Sequence, residues 1–328
     1  MIAVIGAGSW GSAISKVISD SGNNVLLWVR RKKIRSLLEK TRRSNYIEGL
    51  HFSNRIQFSS NLGKVINRCE IIFNAVPVQY IEKVYEKTNL LNKTIVNLSK
   101  GIEISTLKRP SQIFMEKNAS KYAVLSGPSY AEEVSKCIPT SVVVASNDIG
   151  TARMVRDIFN VDYFRVYSSS DVVGTELAGA QKNVFAIAAG IIDGMGGWFN
   201  TKAALITRSV AEMTKLGMRF NADEMTFMGL AGVGDLVVTC TGKYSRNRYV
   251  GQKLAEGYEI KDILNNMKCV AEGVPTSQAI HSISLKEDIE LPISSEVYRV
   301  LYENKSPEQG LNHLMKREQK DEHYFRSS

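Results

Sequence analysis

The first eleven residues limit what this chain can fold into more than any other stretch. An apolar run, Ile2-Ala3-Val4-Ile5, leads directly into Gly6-Ala7-Gly8-Ser9-Trp10-Gly11, and a helical pattern begins behind it. A strand that feeds a G-x-G-x-x-G turn and then a helix is the arrangement that holds a dinucleotide pyrophosphate. Gly6 permits the tight turn out of the strand, and Gly8 lets the backbone approach a phosphate. Gly11 lets the new helix pack against the strand. The N–H groups at the start of that helix, at its positive end, complete an anion site. Glycines also make ordinary turns; here the specificity comes from the flanking strand and helix.

A chain of 328 residues predicts about two domains, and 44% hydrophobic residues are enough to build packed cores. Continuous apolar runs of strand length recur at 24–29, 70–76, 94–99, 122–126, 140–146 and 164–167. They suit strands buried on both faces of a parallel sheet. Helical patterns are predicted from Ser12 to Asp20 and over 31–43, 78–88, 108–117 and 150–160. This alternation builds an α/β, Rossmann-type doubly wound sheet over residues 1–168. The pattern changes near Ser168. Helices are predicted over 172–196, 201–217, 223–230, 246–256, 260–267, 275–285 and 293–303, so residues 169–328 should form an all-α second domain. The first of these helices carries Ala178, Gly179, Ala180, Ala186, Ala188, Ala189 and Gly190, small residues that let neighbours come close and mark it as central. The last dozen residues read as a charged, frayed tail.

Composition removes several function classes. Cys69, Cys137, Cys240 and Cys269 form no C-x-x-C pair, and His51, His281, His313 and His323 show no ligand spacing. Neither a metal site nor a disulfide framework is expected, and each cysteine reads as a small buried or half-buried apolar side chain. The net charge of +9 lies in local runs such as Arg30-Arg31-Lys32-Lys33, without interleaved aromatics or a nucleic-acid module. Most of it is solvated surface, with a subset near the glycine turn suited to cofactor phosphates. An apolar strand directly after Met1 leaves no leader. No stretch reaches the roughly 18–20 uncharged residues that a membrane span needs, so a cytoplasmic protein is expected.

Ligands on a doubly wound sheet bind at the carboxyl ends of the strands. There the chain offers Ala75-Val76-Pro77, Ser99-Lys100-Gly101 and Ser126-Gly127-Pro128-Ser129, with Lys100 as a cation at the crevice mouth. Lys182, beside Asn183, interrupts the small-residue helix where an apolar side chain would otherwise stand. Burial, or a second cation nearby, lowers a lysine's pKa towards the range of proton transfer. Gly229-Leu-Ala-Gly-Val-Gly-Asp235 reads as a glycine-rich loop delivering an acid. Ser245-Arg246-Asn247, at a helix start, gathers groups that suit a phosphate, although a plain helix cap would account for Ser245. About 20 residues beyond the glycines, where an acid would hold a ribose 2′-OH, stand Arg30 and Arg31. Two guanidiniums there favour a 2′-phosphate, so NADP is expected as the preferred cofactor, with NAD usable.

Taken together, these segments resemble the bacterial NAD(P)-dependent glycerol-3-phosphate dehydrogenase family. The resemblance runs through G-A-G-S-W-G at 6–11, S-K-G at 99–101, S-G-P-S-Y-A at 126–131, G-A-Q-K-N-V at 179–184, K-A-A-L-I-T-R at 202–208, G-L-A-G-V-G-D-L-V-V-T-C-T at 229–241, S-R-N-R at 245–248 and A-E-G at 271–273. It implies Lys182 as the catalytic lysine, and it implies Lys100, Gly127, Ser129, Asp235, Ser245, Arg246 and Asn247 on the substrate. It further implies Ser9, Trp10, Arg30, Arg31, Lys100, Ala131, Arg246, Val270 and Glu272 on the cofactor. The implied reaction is reversible reduction of dihydroxyacetone phosphate to sn-glycerol 3-phosphate for phospholipid synthesis, by a homodimer. Gln181 departs from the valine common beside the lysine. A non-catalytic cofactor sensor would lack Lys182, Asp235 or the Ser245-Arg246-Asn247 set. A β-hydroxy acid dehydrogenase would lack the 229–235 and 245–248 segments.

Overall fold

The structure is a computed structural model that describes every residue except 268–269, 320 and 323–328. Contacts divide the chain into two units: Met1–Lys100 with Lys108–Thr175, and Gly101–Leu107 with Glu176–Ser328. The division falls after Thr175 rather than after residue 168, and one short segment of the early chain is counted with the later unit.

The first unit alternates strands and helices. They are β1 (Ile2–Ile5), α1 (Ser9–Asp20), β2 (Val25–Trp28), α2 (Lys32–Thr41), β3 (Ile56–Ser59), α3 (Leu62–Arg68), β4 (Ile71–Asn74), α4 (Ile81–Val84), β5 (Thr94–Asn97), α5 (Pro110–Glu116), β6 (Lys121–Ser126), α6 (Ala131–Val134), β7 (Thr140–Ala145), α7 (Ile149–Arg156) and β8 (Phe164–Ser169). One eight-stranded sheet runs β3-β2-β1-β4-β5-β6-β7-β8. Its pairs are parallel except β6–β7, so the sheet is mixed rather than wholly parallel. Side chains alternate between the two faces. Ile2 and Val4 join Ile14, Val17 and Ile18 of α1 on one side, and Ala3 and Ile5 join Val65, Ile66 and Phe114 on the other. Both faces are thus covered, as the continuous apolar runs require.

Three elements of this unit, β3, α3 and the four-residue α6, were not predicted. β3 is an edge strand of four residues with an exposed Gln57, so it lacks the unbroken apolar run of its neighbours. α3 is short, and its one sequence signal is Asn61, whose Oδ1 accepts from Lys64 N at 2.9 Å.

Among the described residues the second unit is helical: α8 (Val172–Gly194), α9 (Phe199–Arg219), α10 (Glu224–Met228), α11 (Asp235–Thr241), α12 (Arg246–Ala255), α13 (Ile260–Asn265), α14 (Gly273–Lys286), α15 (Pro292–Tyr302) and α16 (Pro307–Met315). α8 is buried along nearly its whole length. A Cβ added to Gly190 would lie 1.9 Å from the Arg248 carbonyl oxygen, and one on Gly251 would lie 1.9 Å from that of Ile187. α8 and α12 therefore touch backbone to backbone. α16 was missed although Ser306-Pro307-Glu308-Gln309 spells a capping box, with Ser306 Oγ accepting from Gln309 N. The end of the expected tail lies outside the described residues.

Cys137 corrects the reading of the cysteines. Cys69 and Cys240 are buried, but Cys137 is exposed, and Lys16 Nζ donates to its sulfur at 3.3 Å. It follows α6 with φ 59°, in a turn that faces solvent. Cys269 lies outside the described residues. Among the described residues no helix is long and apolar enough to cross a membrane, and no three His, Cys, Asp or Glu gather as metal ligands.

Candidate active site

In the first unit the glycine turn has the geometry its spacing predicts. Gly6 has φ 111°, and a Cβ there would lie 2.9 Å from the Ala75 carbonyl oxygen. A Cβ on Gly11 would lie 1.9 Å from the Gly6 carbonyl oxygen, so α1 seats directly on the turn. A Cβ on Gly8 would meet nothing within 4 Å. The outer side of the turn is open, and Gly8 precedes α1 without a side chain to cap its N–H groups. These are the features a pyrophosphate needs, so the turn fits a dinucleotide. Ser9 and Trp10 open α1, half-buried.

Arg30 and Arg31 are exposed at the end of β2, where Arg31 Nη2 donates to Tyr46 OH at 2.7 Å. At the other strand ends, Lys100 Nζ donates to the Gly127 carbonyl at 3.2 Å, and Ser129 Oγ donates to the same oxygen at 2.9 Å. Gly127 has φ 133°, and a Cβ there would press on Val142 Cα at 3.0 Å. Ala131 is buried as the first residue of α6. Asn74, Asn97 and Tyr85, buried beside these loops with Asn74 bonded to each of the other two, were missed in the sequence. Asparagines inside apolar parallel strands are the signal that could have found them.

In the second unit Lys182 projects from the middle of α8, and its side chain is 10% exposed. Its Nζ donates to Asp235 Oδ1 at 2.8 Å and to Thr239 Oγ1 at 2.9 Å. Thr239 Oγ1 donates in turn to the Asp235 carbonyl at 2.6 Å. Its bonded neighbours are thus a carboxylate and a hydroxyl. Asp235 does not sit on a loop. Leu230–Gly234 close a single π-helical turn, and Asp235 begins α11. The turn demands glycine, because a Cβ on Gly232 would lie 2.0 Å from the Phe227 carbonyl oxygen. Next to Thr239, burial pushes the Cys240 thiol up to about 12 despite Lys182 and Lys202, so it stays protonated.

α12 brings Ser245, Arg246 and Asn247 together. Ser245 Oγ accepts from Arg248 N at 3.2 Å, so it caps the helix, and Arg246 is exposed at the first turn. Asn247 is buried. Its Nδ2 donates to Asn183 Oδ1 at 2.8 Å and its Oδ1 accepts from Gly273 N at 2.9 Å, which ties α8, α12 and α14 at one point. Asn247 therefore orders the helices around Lys182, a use the sequence did not reveal. Asp193 adds a second tie by pairing with both Arg248 and Lys202. Glu272 is half-buried immediately before α14, and Val270 is exposed.

Comparison with known proteins gives one consistent answer. Residues 1–152 match the family model for the NAD-dependent glycerol-3-phosphate dehydrogenase N-terminus, and residues 171–312 match the one for its C-terminus. The chain is 45% identical over 331 residues to a glycerol-3-phosphate dehydrogenase (NAD(P)+) of Chlorobium phaeobacteroides, covering 98% of this chain and 99% of the relative. It is 46% identical over 319 residues to one of Thermotoga sp., covering 97% and 98%. The crystal structure of glycerol-3-phosphate dehydrogenase from Coxiella burnetii superposes with TM-score 0.93 at 33% identity, covering 96% of this chain and 98% of that one.

Proposed function

The chain belongs to the NAD-dependent glycerol-3-phosphate dehydrogenase family, and we propose on that footing that it interconverts dihydroxyacetone phosphate and sn-glycerol 3-phosphate with a nicotinamide dinucleotide. The observation that carries the reading is Lys182, a buried ammonium held by Asp235 and Thr239 inside a helix of small residues. Such a group is oriented for one proton transfer and shielded from water, which is what a general acid requires.

The first unit takes the cofactor. Gly6, Gly8 and Gly11 with Ser9 and Trp10 receive its pyrophosphate, and Arg30 and Arg31 receive its adenosine end. Ala131 is carried over from the family as a further contact of this unit, and Val270 and Glu272 of the second unit are carried over as cofactor residues. A reduced nicotinamide bound there would supply the hydride that C2 of the substrate accepts. Lys182 Nζ gives its proton to the C2 oxygen as negative charge develops there, and in the reverse direction it takes that proton back. Asp235 orients the ammonium and Thr239 steadies both. Lys100 adds positive charge on the substrate side, next to Gly127 and Ser129. Arg246 holds the phosphate through charge-assisted bonds, with Ser245 and Asn247 fixing the helix start that carries it. Arg246 is carried over from the family as a cofactor residue as well.

The second unit, on this reading, is the substrate-binding and catalytic domain. The chain works as a cytoplasmic homodimer, and its product serves as the backbone precursor of phospholipids. Two arginines and no acid at the end of β2 support NADPH as the preferred reductant.

Lys182→Met tests the assignment. Turnover with dihydroxyacetone phosphate should fall by roughly 10²–10⁴-fold, the scale of a lost general acid, while NADPH binding measured by fluorescence titration stays near wild type. A variant that keeps wild-type kcat would overturn the role of Lys182.

A further inference from the structure

Two asparagines stand at corresponding places in neighbouring strands, Asn74 as the last residue of β4 and Asn97 as the last of β5, and neither is exposed to solvent. Burying an amide there gains nothing by packing that valine would not provide, and the amide must find partners. Here every amide atom has one. Asn74 Nδ2 donates to Asn97 Oδ1 at 2.9 Å and to Ser99 Oγ at 3.3 Å. Asn74 Oδ1 accepts from Tyr85 OH at 3.1 Å and from Val76 N at 3.4 Å. Asn97 grips Ser99 at both ends of its backbone: Nδ2 donates to the Ser99 carbonyl at 2.8 Å, and Oδ1 accepts from Ser99 N at 3.3 Å. Ser99 Oγ then donates to the Val76 carbonyl, which joins the β5 loop to the β4 loop.

A residue whose N–H and C=O are both fixed has its backbone direction fixed, and the next residue leaves in one orientation. That next residue is Lys100, whose ammonium lies on the Gly127 carbonyl. We propose that Asn97, backed by Asn74 and Ser99, is a positioning residue that sets where the Lys100 ammonium stands. The network is fully satisfied within a low-dielectric interior, so it specifies one loop geometry where an apolar pair would allow several. Tyr85 closes the network from behind. Its ring is buried, and burial holds the phenol well above its ordinary pKa, so the hydroxyl stays a donor throughout the working pH range.

This inference rests on the proposed role of Lys100, and a double-mutant cycle separates the two. Asn97→Ala should lower kcat/KM for dihydroxyacetone phosphate by roughly tenfold, the scale of one mis-set bond to a charged group. In the Lys100→Met background the same substitution should lower it by less than about twofold, because interacting residues are not additive. Ser99→Ala, which deletes one hydroxyl and leaves the strands intact, should show a smaller loss with the same dependence on Lys100. Equal losses in both backgrounds, or a lowered Tm with kcat/KM unchanged, would show a merely structural network and overturn the inference. If Lys100→Met itself turns over at the wild-type rate, the inference also fails, while the activity assignment stands on Lys182.

Discussion

A buried ammonium is costly unless it is paired, and Lys182 shows how the cost is met: one carboxylate oxygen and one hydroxyl, both from α11, accept from it. Arg246 presents the opposite case. It is exposed at the first turn of α12, so its charge is available to an incoming anion. Arg246→Ala should raise KM for dihydroxyacetone phosphate by roughly tenfold or more, since a charge-assisted phosphate contact contributes about 1.5–3 kcal/mol. Unphosphorylated dihydroxyacetone should be affected much less. Equal losses on both substrates in steady-state kinetics would assign Arg246 to the cofactor or to the fold instead. Lys182 stood out in the sequence because it interrupts a helix of small residues, and the structure shows it buried against Asp235. The duty of Asn247 was not legible: its two partners, Asn183 and Gly273, are far away along the chain, and only the fold brings them to its amide.

At the scale of elements, the second unit depends on how closely α12 can approach α8. Gly190 and Gly251 bring the two backbones into contact, and Asp193 and Asn183 hold the register through Arg248 and Asn247. Gly190→Ala would drive a Cβ into the Arg248 carbonyl oxygen at 1.9 Å. The expected outcome is a loss of about 1–3 kcal/mol of stability, read in denaturant unfolding, with a raised KM for the phosphorylated substrate because α12 shifts. Unchanged stability would show that the helices can separate at no cost. The sequence revealed α8 as central through its small residues, and it revealed the buried strands through their unbroken apolar runs. It hid β3, which sits at the sheet edge with an exposed side chain, and the reversal at β7, whose run of valines reads the same in either direction. It also hid the π-helical turn before Asp235, since glycines that permit close approach look like glycines that permit a loop.

Over the whole molecule, the chain provides an open glycine turn in one unit and a buried lysine–carboxylate pair in the other. Cofactor choice belongs to this scale, because it combines the glycine turn with the two arginines at the end of β2. Arg30→Ala with Arg31→Ala should cut kcat/KM for NADPH by roughly tenfold or more and leave NADH nearly unchanged, since a lost charge-assisted contact bears only on the 2′-phosphate. A wild-type preference for NADH that survives the double substitution would contradict the NADPH assignment. The most direct test of the proposed activity is the reaction itself, with the purified protein, NADPH and dihydroxyacetone phosphate. NADPH should be consumed only when the phosphorylated ketone is present, with one sn-glycerol 3-phosphate formed for each NADPH oxidised. No oxidation with dihydroxyacetone phosphate, or equal oxidation with a β-keto acid in its place, would contradict it.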